Sequence, residues 1–129
     1  MYELDITREF SAAHMLKGYN GLCSNLHGHN WTVQVFVQAV TLDEIGIAAD
    51  FTVIKRELTA LLAQFDHKYL NELPEFKDIN PTSENIARII FEKLAPAVAK
   101  VGPAVTLDRI RVCESPTSGA TYRPDYKAL

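Results

Sequence analysis

Cysteine is scarce in this sequence, with two residues, Cys23 and Cys113, among 129. Two thiols without an export signal make no disulfide framework, so both are expected to be free. Basic residues are outnumbered, 13 Lys and Arg against 16 Asp and Glu, for a formal net charge of −3 and a pI near 5.8. That leaves no cationic stripe for a phosphate backbone and argues against nucleic acid as a partner. No apolar run approaches the length of a membrane span. The opening MYELDITREF carries Glu3, Asp5, Arg8 and Glu9 where a secretory signal needs uninterrupted apolar residues. A cytoplasmic protein without membrane contact is therefore expected. Repeats and low-complexity tracts are absent too. What is present is an ordinary soluble composition, 47% apolar and 22% charged, in a length that suits one domain, residues 1–129, around a single core.

Hydrophobic period divides the chain into six elements. Tyr2, Leu4 and Ile6 alternate with polar residues, and Phe10, Ala12 and His14 keep the parity, which predicts a strand over residues 2–14. Trp31, Val33, Val35, Val37 and Ala39 alternate against Thr32, Gln34 and Gln38 as a second strand with one apolar face. In DFTVIKRELTALLAQF, Ile54, Leu58, Leu61, Leu62 and Phe65 follow helical spacing, with Asp50 or Thr52 as cap. The stretch from Asp66 to Pro81 reads as a loop. A second helix is predicted from PTSEN, with Ile86, Ile90 and Leu94 on one face and Pro96 kinking or ending it. VTLDRIRVCE and TYRPDY read as closing strands about a turn at SPTSG. The order β-β-α-α-β-β predicts an α+β fold: a four-stranded antiparallel sheet with both helices on one face. Such a sheet has open edges, and association into a larger sheet or barrel is one way to close them.

The chemistry concentrates in NGLCSNLHGHNW, residues 20–31, which holds two of the four histidines and one of the two cysteines. In an extended segment His27 and His29 project from the same face, with Gly28 between them. His14 ends the preceding strand, and a hairpin would carry it toward them. Three imidazoles converging from two strand ends suit a zinc ion with its fourth position open. The plainer reading is a chance HxH in which each histidine meets a local hydrogen bond. Cys113 lies in a strand pattern and reads as a small buried hydrophobe. Cys23 has polar loop neighbours, and a cation nearby would lower its pKa, so it could serve as base, nucleophile or fourth metal ligand. Asp66 and His67 follow the first helix; a carboxylate beside an imidazole suits proton transfer, and a solvated helix end is the alternative. Glu114 closes an apolar strand pattern. It is either an exposed strand end or a carboxylate able to hold two parallel N–H donors such as a pterin or guanine edge.

FSAAH, CSNLHGHNW, FDHKYLN, PTSEN and CESPTSGATY follow one another in the order and approximate spacing of the 6-pyruvoyl-tetrahydropterin synthase superfamily. They closely resemble its bacterial 6-carboxy-5,6,7,8-tetrahydropterin synthase branch, and CxxxHGH is the most specific element. The resemblance implies the tunnelling fold, or T-fold, in which β-β-α-α-β-β subunits join their sheets into a barrel with helices outside. It implies Zn2+ on His14, His27 and His29, Cys23 as general base, Asp66 and His67 as proton relay, and Glu114 as pterin anchor. It also implies a homo-oligomer built on trimers, up to a hexamer, whose active sites are shared between subunits. The implied reaction belongs to queuosine and 7-deazaguanine synthesis. A lyase converts 7,8-dihydroneopterin triphosphate to 6-carboxy-tetrahydropterin, acetaldehyde and triphosphate. Lys17 and Lys68 adjoin the implied site and are candidates for the triphosphate, or are ordinary solvated lysines. Two other readings are a 6-pyruvoyl-tetrahydropterin synthase, which eliminates triphosphate without carbon–carbon cleavage, and a non-catalytic, zinc-stabilised binding module.

Overall fold

Two long strands carry the architecture of this computed structural model, which describes residues 1–124; the side chain of Cys23 lies outside the described set. β1 (Tyr2–His14) and β2 (His27–Ala39) pair antiparallel along their whole length, from Tyr2 opposite Ala39 to His14 opposite His27. Their bounds follow the alternation in the sequence. Ile6, Phe10 and Ala12 of β1 and Trp31, Val33, Val35 and Val37 of β2 are buried on one face, where each large side chain contributes roughly 1.5–3 kcal/mol of hydrophobic stabilisation. Trp31 is fully enclosed: its ring stacks on Phe10 with centroids 5.9 Å apart, and its indole N–H donates to the Ala12 carbonyl at 3.2 Å.

Helix α1 (Phe51–Leu62) starts where the Asp50 carboxylate accepts the Thr52 N–H at 2.8 Å, which selects Asp50 as the cap. Ile54, Leu58, Leu61 and Leu62 face the sheet, and Phe65 follows them into the core. Helix α2 (Ser83–Ala99) is capped by Thr82, whose hydroxyl accepts the Asn85 N–H at 3.1 Å. Both helices share the core with one face of the sheet. No helix among the described residues is long and apolar enough to cross a membrane.

The sheet has five strands rather than four, in the order β3-β1-β2-β4-β5. β4 (Val105–Ser115) and β5 (Ser118–Tyr122) extend it antiparallel beyond β2. The added member, β3 (Lys68–Tyr69), lies in the stretch expected to be loop and pairs parallel to β1 at Ala12 and Ala13. Two residues are too few to show an alternation, so this strand exists only through its partner.

Three further expectations are corrected. Pro96 does not end α2, which continues to Ala99. The proline sits on the exposed side, where water can take the carbonyl it leaves free, while Leu94 and Val98, each 1% exposed, keep the last turns on the core. β5 begins at Ser118, inside the expected turn, which shrinks to Pro116 and Thr117. Gly119 pairs with Cys113 in that strand, and the position takes glycine because a Cβ there would lie 2.5 Å from the Cys113 sulfur. Cys113 itself is only half-buried, since Val112 and Ile110 take the core side of β4 and leave the thiol on the opposite face, across from Thr32. Asp125 and Tyr126, the end of the expected last strand, lie outside the described residues.

Candidate metal centre and catalytic site

The β1–β2 ladder ends on the pair His14 and His27, and His29 follows two residues along the same face. All three imidazoles therefore emerge at one end of the sheet, on its core side. Their ring centroids are 4.5, 4.7 and 5.2 Å apart, and one nitrogen of each lies within 4.8 Å of the others. It is the one such group found among the described residues. Trp31 forms the floor, its ring edge-on to His14 at 4.8 Å and to His29 at 5.1 Å.

Hydrogen bonds fix which nitrogens face inward. His14 Nδ1 donates to the Pro81 carbonyl at 2.7 Å, and His27 Nδ1 donates to the Asn25 carbonyl at 2.7 Å. A carbonyl only accepts, so both Nδ1 atoms carry hydrogen and both Nε2 atoms present lone pairs when the rings are neutral. These Nε2 atoms are 2.9 Å apart. Two acceptors so close repel unless a proton or cation lies between or beside them. His29 Nε2 is buried without a hydrogen-bond partner; its ion-pair contact with Glu114 Oε2, at 3.6 Å, is too long to be a hydrogen bond. Burial is the first cause that lowers the pKa of His14 and of His29; the other imidazoles lower them further, while the Pro81 bond on His14 and Glu114 beside both oppose it. The lowering at His14 and His29 favours the neutral ring, the form that binds metal. The three nitrogens fit a divalent cation of borderline softness and fill three of the four positions of a tetrahedral site.

The other expected residues lie around this centre. Glu114, at the end of β4, is about one-third exposed and borders it through His29. Asp66 and His67 form a pair with Nδ1 donating to Oδ2 at 2.8 Å. The pair is locked to β1 by reciprocal bonds, His67 N–H to the Ser11 carbonyl at 2.6 Å and Ser11 N–H to Asp66 Oδ1 at 2.8 Å. That Ser11 N–H, and then the His67 ring, hold the Asp66 carboxyl below its usual range. His67 is 82% exposed and lies outside the three-imidazole group. It borders an open depression lined by Ser11, Ala13, Gly28, Asn30 and also His29; the side chains of Ser11, Ala13 and Asn30 alternate with those of His14, His27 and His29 along the two strands. The relay pair is not among the three converging nitrogens. Lys17 and Lys68 are both exposed.

The sequence profile of the 6-pyruvoyl tetrahydropterin synthase family matches residues 3–125. The chain belongs to this family. It is similar to a 6-carboxy-5,6,7,8-tetrahydropterin synthase of Synechocystis, 39% identical over 124 residues that cover 91% of each chain. It is also similar to one of Bacillus subtilis, 31% identical over 128 residues covering 95% of this chain and 86% of the relative. Among solved structures, the 6-pyruvoyl tetrahydropterin synthase of Caenorhabditis elegans superposes with a TM-score of 0.83 at 29% identity, over 96% of both chains. The fold is thus the α+β T-fold of this family. Sequence reasoning missed the Pro81 and Asn25 carbonyls that orient the rings, because backbone acceptors carry no residue signature, and Trp31, which it placed in a strand without seeing the imidazoles above it.

Proposed function

We propose that this chain is a 6-carboxy-5,6,7,8-tetrahydropterin synthase, converting 7,8-dihydroneopterin triphosphate to 6-carboxy-tetrahydropterin, acetaldehyde and triphosphate on the route to queuosine and other 7-deazaguanines. The observation that carries the reading is the cluster of three converging imidazoles, two of them with facing Nε2 atoms, in a chain 39% identical over 91% of its length to a synthase of that name. His14, His27 and His29 would hold zinc, which when bound polarises substrate oxygens and acidifies the neighbouring C–H bonds. Cys23, four residues before His27, is the general base that removes those protons. His67 exchanges protons at Nε2, since Nδ1 is committed to Asp66. Glu114 accepts two parallel N–H groups from the pterin edge. The relay pair of one subunit serves the metal centre of its neighbour, in a cytoplasmic homo-oligomer whose joined sheets form a barrel.

The test is to incubate the purified protein with dihydroneopterin triphosphate and identify the products. Acetaldehyde with the 6-carboxy product is expected. A 6-pyruvoyl product without acetaldehyde would establish the second reading, favoured by the similarity to the Caenorhabditis elegans enzyme structure. Turnover of neither kind, with a fold that collapses on chelation, would mark a zinc-stabilised binding module.

Glu114→Gln tests the substrate class. Gln nearly preserves volume but turns a donor amide toward the ligand's own N–H. Pterin affinity should fall by about 2–4 kcal/mol from a lost charge-assisted bond and a donor facing a donor, with zinc content unchanged. Calorimetric titration measures it, and equal affinities would make Glu114 an ordinary strand end.

A further inference from the structure

The ladder between β1 and β2 stops at His14, and β3 supports β1 only at Ala12 and Ala13. The backbone that leaves His14 nevertheless stays hydrogen-bonded, at Met15 and at Lys17. Asn71 Oδ1 accepts the Met15 N–H at 2.9 Å while its Nδ2 donates to the Met15 carbonyl at 2.9 Å. Two residues on, Asn80 does the same to Lys17, at 2.9 Å and 2.8 Å. Each carboxamide thus closes a donor–acceptor pair on both backbone groups of one residue, and only a side chain with both a donor and an acceptor can do so.

The same stretch grips the imidazole. Pro81, directly after Asn80, supplies the carbonyl that orients His14 Nδ1 at 2.7 Å. The Asn80 carbonyl is itself held by Asn85 Nδ2 and the Thr82 N–H, both at 2.9 Å, at the cap of α2. Residues 80–82 therefore tie the start of a helix, the ring of His14 and the backbone three residues beyond it into one unit. A metal ligand must be held in both ring rotation and backbone position. The Pro81 bond provides the first and the two carboxamides the second.

We infer that Asn71 and Asn80 are positioning residues for the metal centre, an amide clamp that fixes the backbone at Met15 and Lys17, just beyond the end of β1, and so aims His14 Nε2 at the ion. The inference rests on the metal-binding role proposed above. Asparagine to aspartate preserves shape, keeps the acceptor for the backbone N–H and sets a carboxylate oxygen against the backbone carbonyl in place of the donor. Loss of such outer support typically weakens a metal site about 10- to 100-fold.

The experiment compares metal-free wild type, Asn71→Asp, Asn80→Asp and Leu94→Ala. Leu94 lies in the core of α2, 1% exposed, and serves as a purely destabilising control. Zinc affinity is read by competition with a chromophoric chelator, ligand geometry by the visible spectrum of the Co2+-loaded protein, and folding by circular dichroism. Each asparagine variant is expected to bind zinc about 10- to 100-fold more weakly with an altered cobalt spectrum. Leu94→Ala is expected to melt earlier with wild-type affinity and spectrum. Folded asparagine variants with wild-type zinc affinity and cobalt spectrum would overturn the inference, as would an equal loss in Leu94→Ala. Should Asn80→Asp fail to fold because it also disturbs the helix cap, Asn71→Asp, which touches no cap, decides alone. A wild-type chain that takes up neither zinc nor cobalt defeats the metal role itself, a failure visible before any variant is made.

Discussion

Alanine at His27 will empty the metal site and end turnover together, whereas alanine at Cys23 will leave the metal in place and lower turnover by a factor of about a hundred or more. His27 sits between the other two imidazoles, its Nε2 2.9 Å from that of His14. Without it two nitrogens remain, one short of the three protein ligands that catalytic zinc sites use. Cys23 is assigned the proton rather than the ion, so its loss should spare binding and strike chemistry. Zinc per chain from elemental analysis, set beside product formation, separates the two cases. Full zinc in His27→Ala would remove it from the ligand set. Loss of zinc in Cys23→Ala would make the thiol a ligand and leave the base unassigned.

Two inactive variants, His27→Ala and His67→Ala, will regain activity when their subunits are mixed and reassembled. Within one chain the imidazole group lies on the core side of the sheet, and His67, 82% exposed, is not part of it. If a working site draws its metal ligands from one subunit and its relay from the next, random mixing restores both to about one site in four. If both came from one chain, no mixed site would be whole and activity would stay at the background of the parents. Unfolding and refolding the variants together, then apart, supplies the comparison. No recovery, in oligomers shown to contain both chains, would return the two sets to a single subunit.

Much of this arrangement is legible in the sequence, for reasons that differ by element. β1 and β2 are long and half-buried, so thirteen residues of alternation state their bounds and put His14, His27 and His29 on a common face. The Asp66–His67 pair is legible as adjacent residues, but its placement outside the imidazole group depends on its two bonds to Ser11, fifty-five residues earlier for Asp66. Contacts of that kind leave no local pattern. β3 is hidden for the same reason, and so is the pairing of Asn71 with Met15, which in sequence are a loop residue and a strand exit. Pro96 shows the converse case. A strong local signal for a helix end is overruled because core packing at Leu94 and Val98 outweighs one missing hydrogen bond.

Among the described residues, His67 is the one non-glycine with positive φ, at +58°. An L-residue gives up roughly 1–2 kcal/mol in that left-handed region, and glycine would give up almost nothing. If His67 is the relay proposed above, heat and catalysis make opposite demands on one codon. A library sorted for thermal survival alone will drift there to glycine, and one sorted for product will hold the imidazole and carry its strain. Any programme to harden this protein should fix position 67 first and seek its gains elsewhere.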